Sequence, residues 1–93
     1  MPQILPTTLI SRSGDLLATE VDGETVLMQI EQGRYYGLAK TAHAIWLLLA
    51  TPLSFQELCV ALQARYAGDP EAIAKDAERF VAQMADETLV ALS

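Results

Sequence analysis

The stretch "GRYYGLAKTAHAIWLLLA", residues 33–50, decides the fold because a strand pattern changes into a helix pattern within it. Residues 34–38, "RYYGL", are predicted to form a short strand. From Ala42 onward the apolar residues recur at positions i, i+3, i+4 and i+7, which is the spacing of one helix face. The sequence therefore predicts that a strand with two adjacent tyrosines ends directly before an apolar helix.

The residues before this stretch have the period-two pattern of a sheet. Val26, Met28 and Ile30 alternate with the residues between them, which indicates a strand covered on one face. The pair Asp22-Gly23 favours a two-residue hairpin turn, because both residues tolerate positive φ. We expect three antiparallel strands, at residues 16–21, 24–31 and 34–38, joined as a meander.

The residues after this stretch contain the start and stop signals of three helices. Pro52 ends the first helix, and "SFQE", residues 54–57, is the capping box of the second. Gly68 is placed to end the second helix, and the pair at residues 69–70, "DP", supplies a cap and a first-turn proline for the third. The tail "ETLVAL", residues 87–92, fits either a continued helix or a short strand.

Strands grouped before helices predict an α+β fold, similar to a winged helix-turn-helix domain, with a three-stranded antiparallel sheet followed by three helices. We expect residues 1–93 to form a single domain, with residues 1–14 as an extended tail or an edge strand. The longest apolar run, residues 44–50, is far shorter than the roughly 20 residues that span a bilayer, so no membrane helix is expected. The lone Cys59 excludes an intrachain disulfide, which favours a cytoplasmic location.

The charge balance argues against a nucleic-acid partner. The chain carries six Lys and Arg against twelve Asp and Glu, a formal net charge of -6. A recognition helix needs basic and amide side chains that reach phosphates and base edges. The third predicted helix is acidic instead, so its surface would repel DNA.

The candidates for catalysis are few, and each has an ordinary structural interpretation. His43 has no second His or Cys nearby that would complete a metal site or a catalytic group. Cys59 lies on the apolar stripe of the second helix, where a free cysteine behaves as a small hydrophobe. The acidic residues of the third helix fit a solvated face. We therefore expect no catalytic residue, no metal and no cofactor.

The predicted strand at residues 34–38 ends the meander and can leave one edge unpaired, and an unpaired edge is a template for a strand from another chain. Alternation places Tyr36 and Leu38 inward and Tyr35 outward, while Gly37 lets a backbone come close. Such an edge beside a helix suits an extended peptide. In the alternative interpretation, the tyrosines pack on the helices and the N-terminal segment covers the edge.

Three segments together resemble the PqqD-like peptide chaperones, also called RiPP recognition elements: residues 35–49, "YYGLAKTAHAIWLLL", residues 53–66, "LSFQELCVALQARY", and residues 69–84, "DPEAIAKDAERFVAQM". The resemblance covers residues 16–92. It implies a domain that binds the leader part of a ribosomally made precursor peptide, added as a strand to the third-strand edge beside the third helix. It also implies the peptide-binding residues, namely Arg34, Tyr35, Tyr36, Gly37 and Leu38 on the strand and Asp76, Phe80 and Gln83 on the helix.

The short chain with "YYGL" is most similar to the leader-binding proteins of lasso peptide biosynthesis. That resemblance implies a leader peptidase and an ATP-dependent macrocyclase as partners. A resemblance to PqqD itself would imply a radical SAM enzyme as the partner instead. Ala39 and Ala42-His43, at the start of the first helix, depart from the pattern common among relatives, which bears on the subfamily and not on the fold. An apolar pocket near Tyr35 and Phe80 would accept an aromatic or aliphatic leader residue, and Asp76 would favour a leader with Lys or Arg. A different hypothesis is an acidic winged-helix dimerisation or interaction module, in which the strand edge pairs with a second copy.

Overall fold

The computed structural model describes residues 3–93; Met1 and Pro2, which belong to the expected tail or edge strand, lie outside the described residues. The described chain forms two small antiparallel sheets and three helices. The elements in chain order are β1 (Leu9–Arg12), β2 (Leu16–Val21), β3 (Glu24–Gln29), β4 (Arg34–Leu38), α1 (Thr41–Leu48), β5 (Leu53–Ser54), α2 (Phe55–Arg65), α3 (Pro70–Asp86) and β6 (Val90–Leu92). The α+β class and the three helices are thus confirmed.

The first sheet has the order β2-β3-β4 and is the predicted meander. Its first turn is Asp22-Gly23, where φ is 51° and 79°, as a two-residue hairpin with both central residues at positive φ requires. The register places Leu17 opposite Met28 and Met28 opposite Tyr35. β4 is therefore an outer strand of this sheet, paired with β3 on one side.

The second sheet, of order β5-β1-β6, was not predicted. Ile10 of β1 lies opposite Leu53 of β5 on one side and opposite Leu92 of β6 on the other. Residues 9–12 are thus a middle strand, not the tail or edge strand expected for residues 1–14. The sequence does not reveal this sheet because β5 has 2 residues and β6 has 3, too few to display a period of two.

The two longer helices begin at the predicted caps. The Ser54 hydroxyl accepts a hydrogen bond from the Glu57 N–H at 3.2 Å, and the Glu57 carboxylate accepts one from the Ser54 N–H at 2.9 Å, which completes the capping box. The Asp69 carboxylate accepts from the Glu71 N–H at 3.1 Å at the start of α3. α2 ends at Arg65, before Gly68 is reached.

Both sheets and all three helices contribute side chains to one hydrophobic core. The largest fully buried side chains come from β1, β3, the three helices and the residue that follows α1: Ile10, Leu27, Ile45, Leu49, Leu58, Leu62 and Val81. Within residues 3–93 no helix is long and apolar enough to cross a membrane.

The face of β3 that enters the core is not its apolar one. The buried residues are Thr25, Leu27 and Gln29, whereas Val26 and Met28 are half-buried on the opposite face. Each of the two buried polar side chains makes hydrogen bonds, although the Gln29 Oε1 atom has no partner. Thr25 bonds to the His43 ring, and the Gln29 amide donates to the residues that follow α3. A strand can therefore bury polar residues when the neighbouring helices supply their partners.

Arg12 joins the second sheet to α1. Its guanidinium lies over the Trp46 ring, 4.4 Å from the centroid, and donates a hydrogen bond to the Trp46 carbonyl. A cation near the last turn of a helix is favourable because of the helix dipole. Burial lowers the pKa of Arg12 from its usual value.

Candidate functional site

An apolar cleft of about 420 Å³ lies between the outer edge of β4 and the C-terminal part of α3. Its lining comes from three places: Tyr35, Tyr36, Gly37 and Leu38 of β4, Phe80, Gln83 and Met84 of α3, and Glu87 and Leu89 after the helix. Within residues 3–93, no strand pairs with β4 on the side opposite β3. The cleft is therefore bordered by a strand edge that can accept a further strand.

The side chains of β4 alternate as predicted. Tyr35 is 70% exposed, Tyr36 is half-buried, and Leu38 is 6% exposed. Gly37 stands on the same side of the strand as Tyr35, and a Cβ added to it would meet no atom within 4 Å. The edge thus carries an apolar inner face beside α3 and open space above the glycine.

The helix side of the cleft is one stripe of α3 and its continuation. Phe80, Gln83, Met84 and Glu87 follow one another at i, i+3, i+4 and i+7, so they share one face. Met84 is 2% exposed and belongs to the core, whereas Gln83 is exposed. The floor of the cleft is thus continuous with the hydrophobic core, and its rim is polar.

Glu87 closes one end of the cleft by contacting β4. Its carboxylate accepts a hydrogen bond from the Tyr36 hydroxyl at 2.8 Å and lies 3.6 Å from the Arg34 guanidinium. The ion pair is solvated, since the Arg34 and Glu87 side chains are 62% and 43% exposed. A solvated ion pair contributes little stability, so the tyrosine bond is the stronger link between the strand and the helix end.

Six of the eight site residues expected from the resemblance line this cleft, namely Tyr35, Tyr36, Gly37, Leu38, Phe80 and Gln83. The other two do not. Arg34 reaches the cleft only through its ion pair with Glu87, and Asp76 is an exposed residue of α3 outside the lining. Whether any of the eight contacts a peptide stays a prediction.

The expected set omitted Met84, Glu87 and Leu89. The first two continue the helical spacing from Phe80, so the period of 3.6 was a signal that could have identified them. Leu89 has no such signal, because its place depends on how the chain reverses after α3.

The remaining candidates have structural roles. The His43 ring bonds through Nδ1 to the Thr25 hydroxyl at 2.7 Å, and its Nε2 lies 3.2 Å from a Glu20 carboxylate oxygen. His43 thus connects α1 to two strands of the meander. Cys59 is buried, and burial together with the charge of Glu78 raises the pKa of its thiol, which makes it less nucleophilic. In the part of the chain that the structure describes, no group of three or more His, Cys, Asp or Glu is arranged to hold a metal ion.

These features define a small α+β domain with an open strand edge beside an apolar cleft, a class suited to adding an extended segment to its sheet. The sequence profile described as "Coenzyme PQQ synthesis protein D (PqqD)" matches residues 24–90. The chain therefore belongs to the PqqD family, and it is a RiPP recognition element of that family. PqqD-like recognition elements are non-catalytic binding modules, which confirms the expectation that the chain is not an enzyme.

Two solved structures share this fold. One is described as "TbiB1 in Complex with the TbiA(beta) Leader Peptide"; it is 28% identical, has a TM-score of 0.80, and the match covers 86% of this chain and 93% of that one. The other is "Lasso peptide synthetase B1 complexed with the leader peptide", with 18% identity, a TM-score of 0.78, and coverage of 88% and 96%. A comparison with curated proteins finds no match.

Proposed function

We propose that this protein is a non-catalytic adaptor that captures the leader part of a ribosomally made precursor peptide. The leader adds as a fourth strand to the open edge of β4 and lies in the cleft beside α3. The observation that carries this proposal is the unpaired β4 edge directly above a cleft of about 420 Å³. Main-chain hydrogen bonds to β4 supply affinity, and the cleft selects among side chains.

The similarity to TbiB1, whose structure contains a leader peptide, supports a peptide ligand of the same kind. The likeness to a lasso peptide synthetase, at 18% identity, supports the fold alone. We propose a lasso peptide pathway for this chain, with a leader peptidase and a macrocyclase as partners, from the "YYGL" strand at residues 35–38. The eight expected residues, Arg34, Tyr35, Tyr36, Gly37, Leu38, Asp76, Phe80 and Gln83, remain our proposed peptide-binding set, extended by Met84 and Leu89. Asp76 lies outside the cleft lining, so its role in this set is through its charge on the rate of association.

The cleft favours apolar side chains over charged ones. Its inner surface is built from aromatic and aliphatic groups such as Phe80, Met84 and Leu89. The acid at its rim, Glu87, already has Tyr36 and Arg34 as partners. A leader residue that enters the cleft is therefore aromatic or aliphatic, and selection for Lys or Arg acts at most through the overall negative charge on the rate of association.

An adaptor of this kind acts by tethering. Once the leader is held on β4, the rest of the precursor remains near any enzyme that also binds the adaptor. Short flexible links give effective concentrations on the order of millimolar, which exceeds the concentration of a free peptide. No bond of the precursor changes on the adaptor itself.

The test is a calorimetric titration with the TbiA(beta) leader peptide as a defined probe, and with the leader half of the precursor peptide of this protein's own pathway as a second one. We expect saturable binding at one peptide per chain, with a Kd in the micromolar range or below. Isotope-edited NMR of the complex is expected to show new protection of β4 main-chain amides. Absence of binding by both peptides at high concentration would refute the proposal.

Two other functions keep a specific observation in their favour. The family description names coenzyme PQQ synthesis, which fits a chaperone that serves a radical SAM enzyme. A co-purification assay with each class of enzyme, with and without leader, separates this from the lasso pathway.

The open β4 edge also fits a winged-helix-like dimerisation module, in which two copies pair their edges. A mass that rises with concentration in light scattering, together with no peptide binding, would favour that function.

A further inference from the structure

Two separate sets of hydrogen bonds fasten the end of α3 to the meander. On one side, the Glu87 carboxylate accepts from the Tyr36 hydroxyl at 2.8 Å and pairs with Arg34 at 3.6 Å. On the other side, the Gln29 amide donates to the Glu87 carbonyl at 3.3 Å and to the Thr88 hydroxyl. Gln29 is 7% exposed, so the donor side chain of this second set is buried. Both sets converge on the two residues that follow the helix.

The same two residues begin the turn that completes the cleft. The Thr88 N–H donates to the Ala85 carbonyl at 3.0 Å, and the Leu89 N–H donates to the Met84 carbonyl at 2.8 Å, which is the pattern of a Schellman motif. Thr88 has a φ of 59°, a left-handed conformation that glycine normally supplies and a β-branched residue rarely adopts. The Ser13 hydroxyl donates to the Thr88 carbonyl at 2.7 Å. The turn is held by its neighbours, and it brings Leu89 back into the cleft.

The bond from Tyr36 to Glu87 spans the cleft from the strand to the helix end. It therefore fixes the distance between β4 and α3 at that end. Because the Glu87 carboxylate is occupied by Tyr36 and Arg34, its role toward a bound peptide is indirect. Strand addition requires a fixed distance between the β4 edge and α3, since the added strand must pair with β4 and contact α3 at the same time.

We propose that Glu87 is a positioning residue of the peptide cleft: through Tyr36 it holds the end of α3 at the distance from the β4 edge that an added strand requires. This inference rests on the proposed function, since it concerns the affinity of the same cleft. It predicts that Tyr36 and Glu87 act on peptide binding as one unit.

The experiment is a double-mutant cycle on the affinity for the two leader peptides named above. Tyr36→Phe removes only the hydroxyl, and Glu87→Ala removes its acceptor. We expect each variant to weaken binding by roughly fivefold, the effect of one hydrogen bond, and the double variant to be no weaker than either single one. Glu87→Gln keeps an acceptor oxygen for the Tyr36 hydroxyl, so its Kd for the leader peptides is expected to stay within about twofold of the wild-type Kd.

The matched control is Glu78→Ala, which removes a carboxylate from an exposed position of α3 outside the cleft lining. It is expected to leave the Kd unchanged, and circular dichroism is used to verify that every variant is folded. If the losses of affinity add in the double variant, Glu87 contacts the peptide itself. If the Kd of Glu87→Ala is unchanged, Glu87 has no role in binding. Either result overturns the inference. Failure of the wild type to bind refutes the proposed function instead, so the two failures are distinguishable.

Discussion

Gly37 and Gly33 lie four positions apart on the same hairpin, and the same substitution is expected to change stability in opposite directions at the two positions. Gly37 is outside the left-handed region, and an added Cβ would meet no atom within 4 Å. Since glycine within a strand costs about 0.5–1 kcal/mol relative to alanine, Gly37→Ala is expected to raise the free energy of unfolding by about that amount. Gly33 has a φ of 64°, where alanine is strained, so Gly33→Ala is expected to lower it by about 1 kcal/mol.

Thermal and urea unfolding of both variants measure these changes. A domain of this size shifts its Tm by about 4–8 °C per kcal/mol, so Gly37→Ala is expected to melt about 2–8 °C higher and Gly33→Ala about 4–8 °C lower, with unchanged m values. The added methyl at Gly37 stands on the side of Tyr35, so the leader Kd is expected to stay within about twofold. Shifts of the same sign in the two variants would refute the backbone assignment of β4, and a large loss of affinity in Gly37→Ala would place the peptide backbone over this residue.

Further expected outcomes concern the cleft and the helix starts. Phe80→Ala is expected to weaken leader binding by about tenfold through lost apolar contact, whereas Asp76→Ala, outside the cleft lining, is expected to leave the Kd within about twofold in the same titration. Lys40 has a φ of 55° before α1, so Lys40→Gly is expected to raise the free energy of unfolding by about 1 kcal/mol in urea denaturation. Ser54→Ala is expected to lower it by about 1 kcal/mol through loss of the cap. Hydrogen bonds from Ser54 lower the pKa of Glu57 below its usual value of 4.5. The stabilising effect of Glu57 is therefore present above that pH and lost as the pH falls through the lower folded-state pKa, so the difference in free energy of unfolding between wild type and Glu57→Gln is expected to shrink in urea titrations at progressively lower pH.

The meander and the three helices follow from local patterns, so they could be predicted. Asp22-Gly23, the capping box at residues 54–57 and the pair at residues 69–70 each act within a few residues, and the structure has a turn or a helix start at each. The two faces of the β4 strand were predictable for the same reason, because alternation groups Tyr36 with Leu38 and Tyr35 with Gly37.

The rest depends on contacts between residues distant in sequence. β3 buries Gln29 because the end of α3 supplies its hydrogen-bond partners, and no hydrophobic pattern encodes such a partner. The second sheet forms because three very short strands meet in space, although none of them is recognisable alone. Leu89 enters the cleft only because Thr88 adopts a positive φ. The rotation of α3 about its axis also depends on such contacts, and in the structure the cleft lining includes Glu87 but not Asp76.

The pairing of β1 with β6 has a consequence for how the molecule assembles. Residue 10 lies opposite residue 92, so this pair closes a loop that contains nearly all of the described residues, and such closure has an entropic cost. Contacts of this range form late and slow folding. Leu89 immediately precedes β6, so the end of the cleft is complete only when this last pairing has formed. During synthesis on the ribosome, the meander and α1 can fold before residues 89–92 emerge, whereas a complete cleft arises only after these residues have left the exit tunnel.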